Sequence, residues 1–341
     1  MSESKALGRW KGRLSAAALV LSLGASQALA QAPVPTTIAL PAQSLLFAPV
    51  YIAQEQGFFR DRGINAKIIY VAGPGVINAM LGKSADFTLI SGGIQIAAAA
   101  RNQTLLAIAN TQNRFTTDIV IREPVAQKLG VSASADVMTK VRALKGLTIG
   151  VDAINGLPHS FLRFLAIKAG MNPEADLTIT ALQPPAMVAA LKGGTIDAMV
   201  FSPPFSLLAV KEGGIRWISG PEVQLPELKS FPYNVVLVRP DYCDAEKARC
   251  QGFVAALKDA IALMKSDPGA SLQALSKSFN KMEPDILKAS YEVFAPFAQS
   301  DMKLTGAMLE NVIAFDRISG IIASEAKLPP ESALYSTAFT P

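Results

Sequence analysis

The chain has 341 residues, half of them apolar and 17% charged, with a formal net charge of +5. Residues 1–30 hold four Lys/Arg and one Glu, so the remainder carries 28 basic and 26 acidic residues, a net +2. That length and apolar content suit two cores, and the near-neutral balance removes the basic stripe that nucleic-acid binding needs.

The first thirty residues read as a signal peptide. Lys5, Arg9, Lys11 and Arg13 form a basic start, and residues 14–23 are an apolar run. That run is far shorter than the roughly 20 residues that span a bilayer. Ala28-Leu29-Ala30 supplies the small-x-small cleavage pattern, so export with cleavage after Ala30 is expected. No Cys follows that would take a lipid anchor, and no longer apolar segment occurs further on.

Residues 37–40 then read as a strand, 41–47 as a loop, 49–56 as a helix and 65–70 as a second strand, with Gly63 in the connection. Residues 80–92 and 191–203 are an internal repeat, in which Gly82, Asp86 and Ser91 recur 111 positions later as Gly193, Asp197 and Ser202. Each copy reads as a helix end, a Gly stop in the left-handed conformation, an Asp in a tight turn, a four-residue apolar strand and a Ser at its end. Upstream of the second copy, 147–151 reads as a strand and 152–157 as a loop. A helix then begins with Pro158 and stops at Gly170, and 177–181 is another strand. Strands alternating with helices predict an α/β chain with parallel sheets covered on both faces.

Residues 234–238 read as one more strand. Beyond them, 244–265, 270–279, 283–294 and 305–319 read as helices, expected to cover the first lobe. The expected division is lobe I from 31–115 plus 231–341 and lobe II from 116–230. The chain then crosses near residues 114–117 and 229–233 through short hinge strands, because neither place has a low-complexity linker. Cys243 and Cys250 are the only cysteines, and an oxidising compartment allows them to pair. Two buried thiols are the alternative.

In parallel α/β sheets ligands bind beyond the carboxyl ends of the strands. That rule selects Gln43, Ser44, Phe47, Ser91 and Gly92 in the first lobe. In the second it selects Asn155, Gly156, His159, Ser160, Ser202 and Phe205, with Tyr233 at the return crossing. Several lie at helix starts, where free N–H groups favour anions. Competing structural roles are plain: the serines end strands or cap helices, the two Phe fill cores, His159 packs or caps, and Tyr233 stiffens the hinge. The chain has no Gly-x-Ser-x-Gly, Walker or His-Glu-x-x-His motif, and a single His, so neither a cofactor nor a metal is expected.

Ala48-Pro49-Val50-Tyr51-Ile52-Ala53-Gln54-Glu55-Gln56-Gly57-Phe58-Phe59 resembles the first helix of the nitrate/sulfonate/taurine group of ABC importer binding proteins, which shares its domain with thiamine-pyrimidine precursor proteins. Leu144-Lys145-Gly146-Leu147-Thr148-Ile149-Gly150-Val151 is similar to that family's Leu-Lys-Gly-Lys strand start, with Leu147 in the place of the second Lys. Ala189-Ala190-Leu191-Lys192-Gly193-Gly194-Thr195-Ile196-Asp197-Ala198 resembles its second helix-Gly-x-x-Asp signature. The resemblance covers residues 36–320. It implies a two-crossover periplasmic-binding-protein fold, a small molecule in the cleft, and a membrane permease with its ATPase as partners.

The leading expectation is therefore a periplasmic, monomeric, non-enzymatic binding protein that closes two lobes around a small organic solute. A sulfonate, an aromatic carboxylate or another small anion is the expected solute. A periplasmic sensor would use the same closure. The alternative class is an enzyme on the same fold, of the menaquinone-pathway or pyrimidine-forming type, with His159 as general base. The cysteine-rich motif of the fungal pyrimidine-forming enzymes is not visible.

Overall fold

The computed structural model describes residues 32–340. The expected signal segment and its cleavage after Ala30 lie outside them. Ten strands in this span make two five-stranded sheets. The first is built from β1 (Val34–Leu40), β2 (Ile64–Tyr70), β3 (Phe87–Ile90) and β4 (Leu106–Gln112). The second is built from β5 (Asp118–Arg122), β6 (Thr148–Val151), β7 (Thr178–Ala181), β8 (Ala198–Phe201) and β9 (Gly214–Ile218). The chain then returns to the first sheet with β10 (Asn234–Val238).

The two orders are β2-β1-β3-β10-β4 and β7-β6-β8-β5-β9, so they are equivalent position by position. Neither sheet is purely parallel, which corrects the expectation. β10 runs antiparallel to β3 and β4, and β5 runs antiparallel to β8 and β9. Each reversed strand enters its sheet from the other one without an intervening α-helix; two short 3-10 turns, Gly220–Glu222 and Pro226–Leu228, precede β10. The remaining strands end at the gap between the sheets, so a strand that starts in the gap must run away from it.

Alternation along each strand feeds two cores. In the first sheet Ile38, Leu40, Phe87 and Leu89 face one core, while Ala39 and Ile90 face another. In the second, Ala198 and Val200 face one side, and Met199 and Phe201 the other. Both sheets are thus covered on both faces. Phe87 stacks on Phe253 with centroids 3.9 Å apart, which fastens β3 to the helix Lys247–Ser266.

The helices Lys247–Ser266, Pro268–Ser278 and Pro284–Phe294 supply Phe253, Leu257, Leu275, Leu287 and Phe294 to the first sheet's core. The helix Gly306–Ile318 departs from the expectation that the tail covers only the first half. Its Met308 joins the first sheet's second core, but Val312 and Phe315 join the core of the second sheet. Two apolar edges on one helix allow it to lie along both. Cys243 and Cys250 form a disulfide with Cα atoms 5.8 Å apart. They sit on two helices, Pro240–Ala245 and Lys247–Ser266, instead of one beginning at Asp244.

The repeat is real, but its Gly stop is shifted. Gly82 has φ −76° and Gly193 is the last helical residue; the left-handed positions are Lys83 at φ 58° and Gly194 at φ 75°. The Asp residues do more than turn the chain. Asp86 accepts from the Thr37 N–H at 2.8 Å and Asp197 from the Thr148 N–H at 3.0 Å, so the carboxylates tie the start of β3 to β1 and the start of β8 to β6. Each is also paired with an arginine at the end of the reversed strand: Arg239 with Asp86 at 4.0 Å and Arg122 with Asp197 at 3.3 Å.

Candidate functional site

The carboxyl ends of the equivalent strands meet in one cleft, enclosing about 570 Å³ of space that is partly open to solvent. Its walls are apolar: Leu46, Phe47, Ile90, Leu157, Pro158 and Phe201. The polar members are Ser44, Ser91, Thr117, Asp152, Ser202 and Tyr233. None of the lining residues is Lys, Arg or His. The two rims touch. A side chain at Gly73, in the loop after β2, would come 2.7 Å from the Cβ of Ala153, in the loop after β6. The Ser44 hydroxyl donates to the Pro203 carbonyl at 3.5 Å.

Of the residues selected from sequence, Ser44, Phe47, Ser91, Gly156, Ser202 and Tyr233 line the cleft. The others are placed elsewhere. Gln43 is exposed and donates to the carbonyl of Ser278, at the end of a tail helix. Gly92 lies against the return crossing, where its N–H donates to the Pro232 carbonyl at 2.8 Å and an added Cβ would come 2.8 Å from Pro232. Asn155 is exposed at φ 61°. Ser160 spends its hydroxyl on the Gly156 carbonyl at 2.9 Å. Phe205 packs its ring edge against Phe201 at 5.7 Å.

His159 is 7% exposed and lies outside the lining. The Asn155 N–H donates to its Nδ1 at 3.2 Å, which places the imidazole proton on Nε2. Burial, with Arg163 nearby and despite Glu174, lowers its pKa to about 4. The ring is therefore neutral at ordinary pH, and the nitrogen a base would need is already accepting a hydrogen bond.

Helix starts at the cleft offer fewer free donors than expected. The N–H groups of Gly92, Gly93 and Ile94 donate to Pro232, to the Ser91 hydroxyl and to the Ser91 carbonyl. Those of Leu46 and Phe47 both go to Ser44. Pro49, Pro158, Pro203 and Pro204 bring no N–H at all.

Asp152 directly follows β6 and is the ionisable residue that sequence reasoning passed over. Its Oδ1 is buried and takes no hydrogen bond from the protein. Burial pushes its pKa up to about 6, against the pull of the backbone N–H groups of Ala153 and of Asp152 itself. The turn is tight enough that a side chain at Gly156 would come 3.2 Å from that oxygen. The signal available was position: Asp152 immediately follows β6, as Ser91 and Ser202 follow β3 and β8.

Thr117 was also missed, and it completes a network at the two crossings. The Tyr233 hydroxyl lies 2.7 Å from that of Thr117 and 2.8 Å from that of Ser202, which are themselves 3.3 Å apart. Tyr233 is 1% exposed, and burial raises its phenol pKa despite those hydroxyl partners. Among the described residues, no group of three or more His, Cys, Asp or Glu is placed to hold a metal ion.

Two sheets of equal strand order, joined by two crossings and sharing a cleft at their strand ends, define the fold of the periplasmic binding proteins. Solved structures agree. The alkanesulfonate-binding protein SsuA of Xanthomonas axonopodis pv. citri, bound to MOPS, superposes with TM-score 0.70 at 18% identity, covering 89% of this chain and 99% of that one. The periplasmic nitrate-binding protein NrtA of Synechocystis PCC 6803 gives 0.66 at 15% identity, covering 91% and 87%. The chain belongs to the NMT1-like family, whose sequence model matches residues 42–276. A bicarbonate transport ATP-binding protein of Synechocystis is 26% identical over 234 residues, 66% of this chain; the chain spans only 34% of that relative's length.

Proposed function

We propose that this protein is the periplasmic solute-binding component of an ABC-type importer of the nitrate/sulfonate/taurine type. It holds a small organic solute between two lobes, 31–115 with 231–341 and 116–230, and presents the closed form to a permease and its ATPase. It works as a monomer and performs no covalent chemistry. The observation that carries this reading is the single cleft formed where equivalent strands of both sheets end, with rims in contact at Gly73 and Ala153 and at Ser44 and Pro203. Solute contacts to both rims favour the closed state by their difference in affinity for the two states. The named binding or transport roles of the relatives support the same reading. Among the described residues no helix is long and apolar enough to cross a membrane, which fits a partner supplying the membrane path.

The lining residues favour a mostly apolar solute with few polar groups; the N–H groups at the first lobe's helix starts are engaged, while Gly156 gives no side-chain cap to the helix Leu157–Lys168, whose start lines the same cleft. His159 is a poor general base here, since it lies outside the cleft with Nδ1 occupied. Small-angle scattering tests closure: a solute that raises the Tm is expected to lower the radius of gyration. A bound solute that leaves the radius unchanged overturns the closure mechanism.

A further inference from the structure

We propose that the solute is a small organic cation with N–H donors, an amine or amidinium on an apolar body, and that Asp152 receives it. This rests on the reading of the cleft as the solute site. A buried carboxylate without a partner is costly, and native proteins pair such groups or neutralise them. Asp152 lines the cleft and its Oδ1 takes no hydrogen bond from the protein; the only groups that favour its charge are the backbone N–H groups of Ala153 and of Asp152 itself, and the lining contains no Lys, Arg or His to balance it. A cationic solute would supply the balancing charge. An anion meets the opposite situation. It would sit beside a carboxylate, while the N–H groups of Gly92, Gly93, Ile94, Leu46 and Phe47 are already engaged. The walls fit the rest of such a molecule: Leu46, Ile90 and Leu157 are apolar, and Phe47 and Phe201 are aromatic, the residue type whose ring faces attract cations. A metal ion is a poor match, because among the described residues Asp152 belongs to no cluster of metal-ligating side chains.

The test is a series matched in shape and differing in charge: benzylamine and benzamidine, benzyl alcohol, then benzoate and benzenesulfonate. Thermal shift and calorimetric titration of the purified protein at pH 7.5 are the readouts. The two cations are expected to raise the Tm and bind at least about tenfold more tightly than the anions. Asp152→Asn is expected to weaken the cations about tenfold or more, leaving benzyl alcohol unaffected. Anions binding as well as the cations, or cation affinity unchanged in Asp152→Asn, overturns the proposal but leaves the cleft as a solute site. Should the variant not fold, the charge order in the unaltered protein decides alone. No response to any compound overturns both the cation and the solute-site reading.

Discussion

At Asp152 the free carboxyl's ordinary pKa of 3.8 rises to about 6 on folding because burial disfavours the charge. The folded state therefore binds this proton more tightly than the unfolded chain does. Below pH 3.8 both states are protonated and the full contribution to stability is present; it is lost as pH rises through about 6. The loss is on the order of 2–3 kcal/mol. Asp152→Asn removes it. The variant and the unaltered protein, both free of solute, are expected to melt together near pH 4, and the variant several degrees higher at pH 7.5. Asp316, buried with both carboxyl oxygens unpartnered, has its pKa raised by burial too, but it is common to both proteins and cancels from the difference. Superimposable Tm–pH profiles would show that Asp152 carries no such penalty.

In each sheet a carboxylate joins two parallel strands: Asp86, just before β3, reaches β1, and Asp197, just before β8, reaches β6. Asp197 both donates its own N–H to the Thr148 carbonyl at 2.8 Å and accepts from the Thr148 N–H, and Asp86 does the same with Thr37. Both pairs are 49 residues apart in the chain, so the duplication extends to a long-range contact. Asp197→Ala removes a charged acceptor and leaves Arg122 without its partner. It is expected to cost about 1.5–3 kcal/mol, read from the urea midpoint with unchanged slope. Asp197→Asn, which keeps an acceptor oxygen, is expected to recover part of that. A variant with the original midpoint would mean that the peptide hydrogen bonds hold the strands without the carboxylate.

For the molecule as a whole, the two crossings lie side by side and share one aromatic cluster. Phe115, from the outward crossing, is 4.6 Å from Phe231 and 5.0 Å from Tyr233, both from the return. Phe315 of the helix Gly306–Ile318 adds to it at 5.5 Å from Phe115. In the proposed closure the halves would rotate about this packed region, with the rims travelling furthest. Gly73, at φ 51°, has no room for a Cβ beside Ala153 of the facing rim. Gly73→Ala is expected to hold the rims apart, giving a larger radius of gyration and several-fold weaker solute binding. Circular dichroism should be unchanged. An unaltered radius and affinity would place the closing contact elsewhere.

Local chemistry made much of this legible before any coordinates. Short apolar runs and turn residues marked 234–238 at its observed bounds, β3 and β8, and the serines that end them, because apolar runs and turn preference act over a few residues. The Cys pair was equally readable, with a separation of 7 residues. The reversed strands were not, since their direction follows from a chain that passes between sheets. Nor were the orientations of Gln43 and Asn155, or the isolation of Asp152. Whether a polar group at a strand end is free or engaged depends on segments brought beside it from far along the chain, as when Gln43 meets Ser278, 235 residues away. Position at strand ends therefore pointed to loops that border the cleft, while packing chose which of their residues line it.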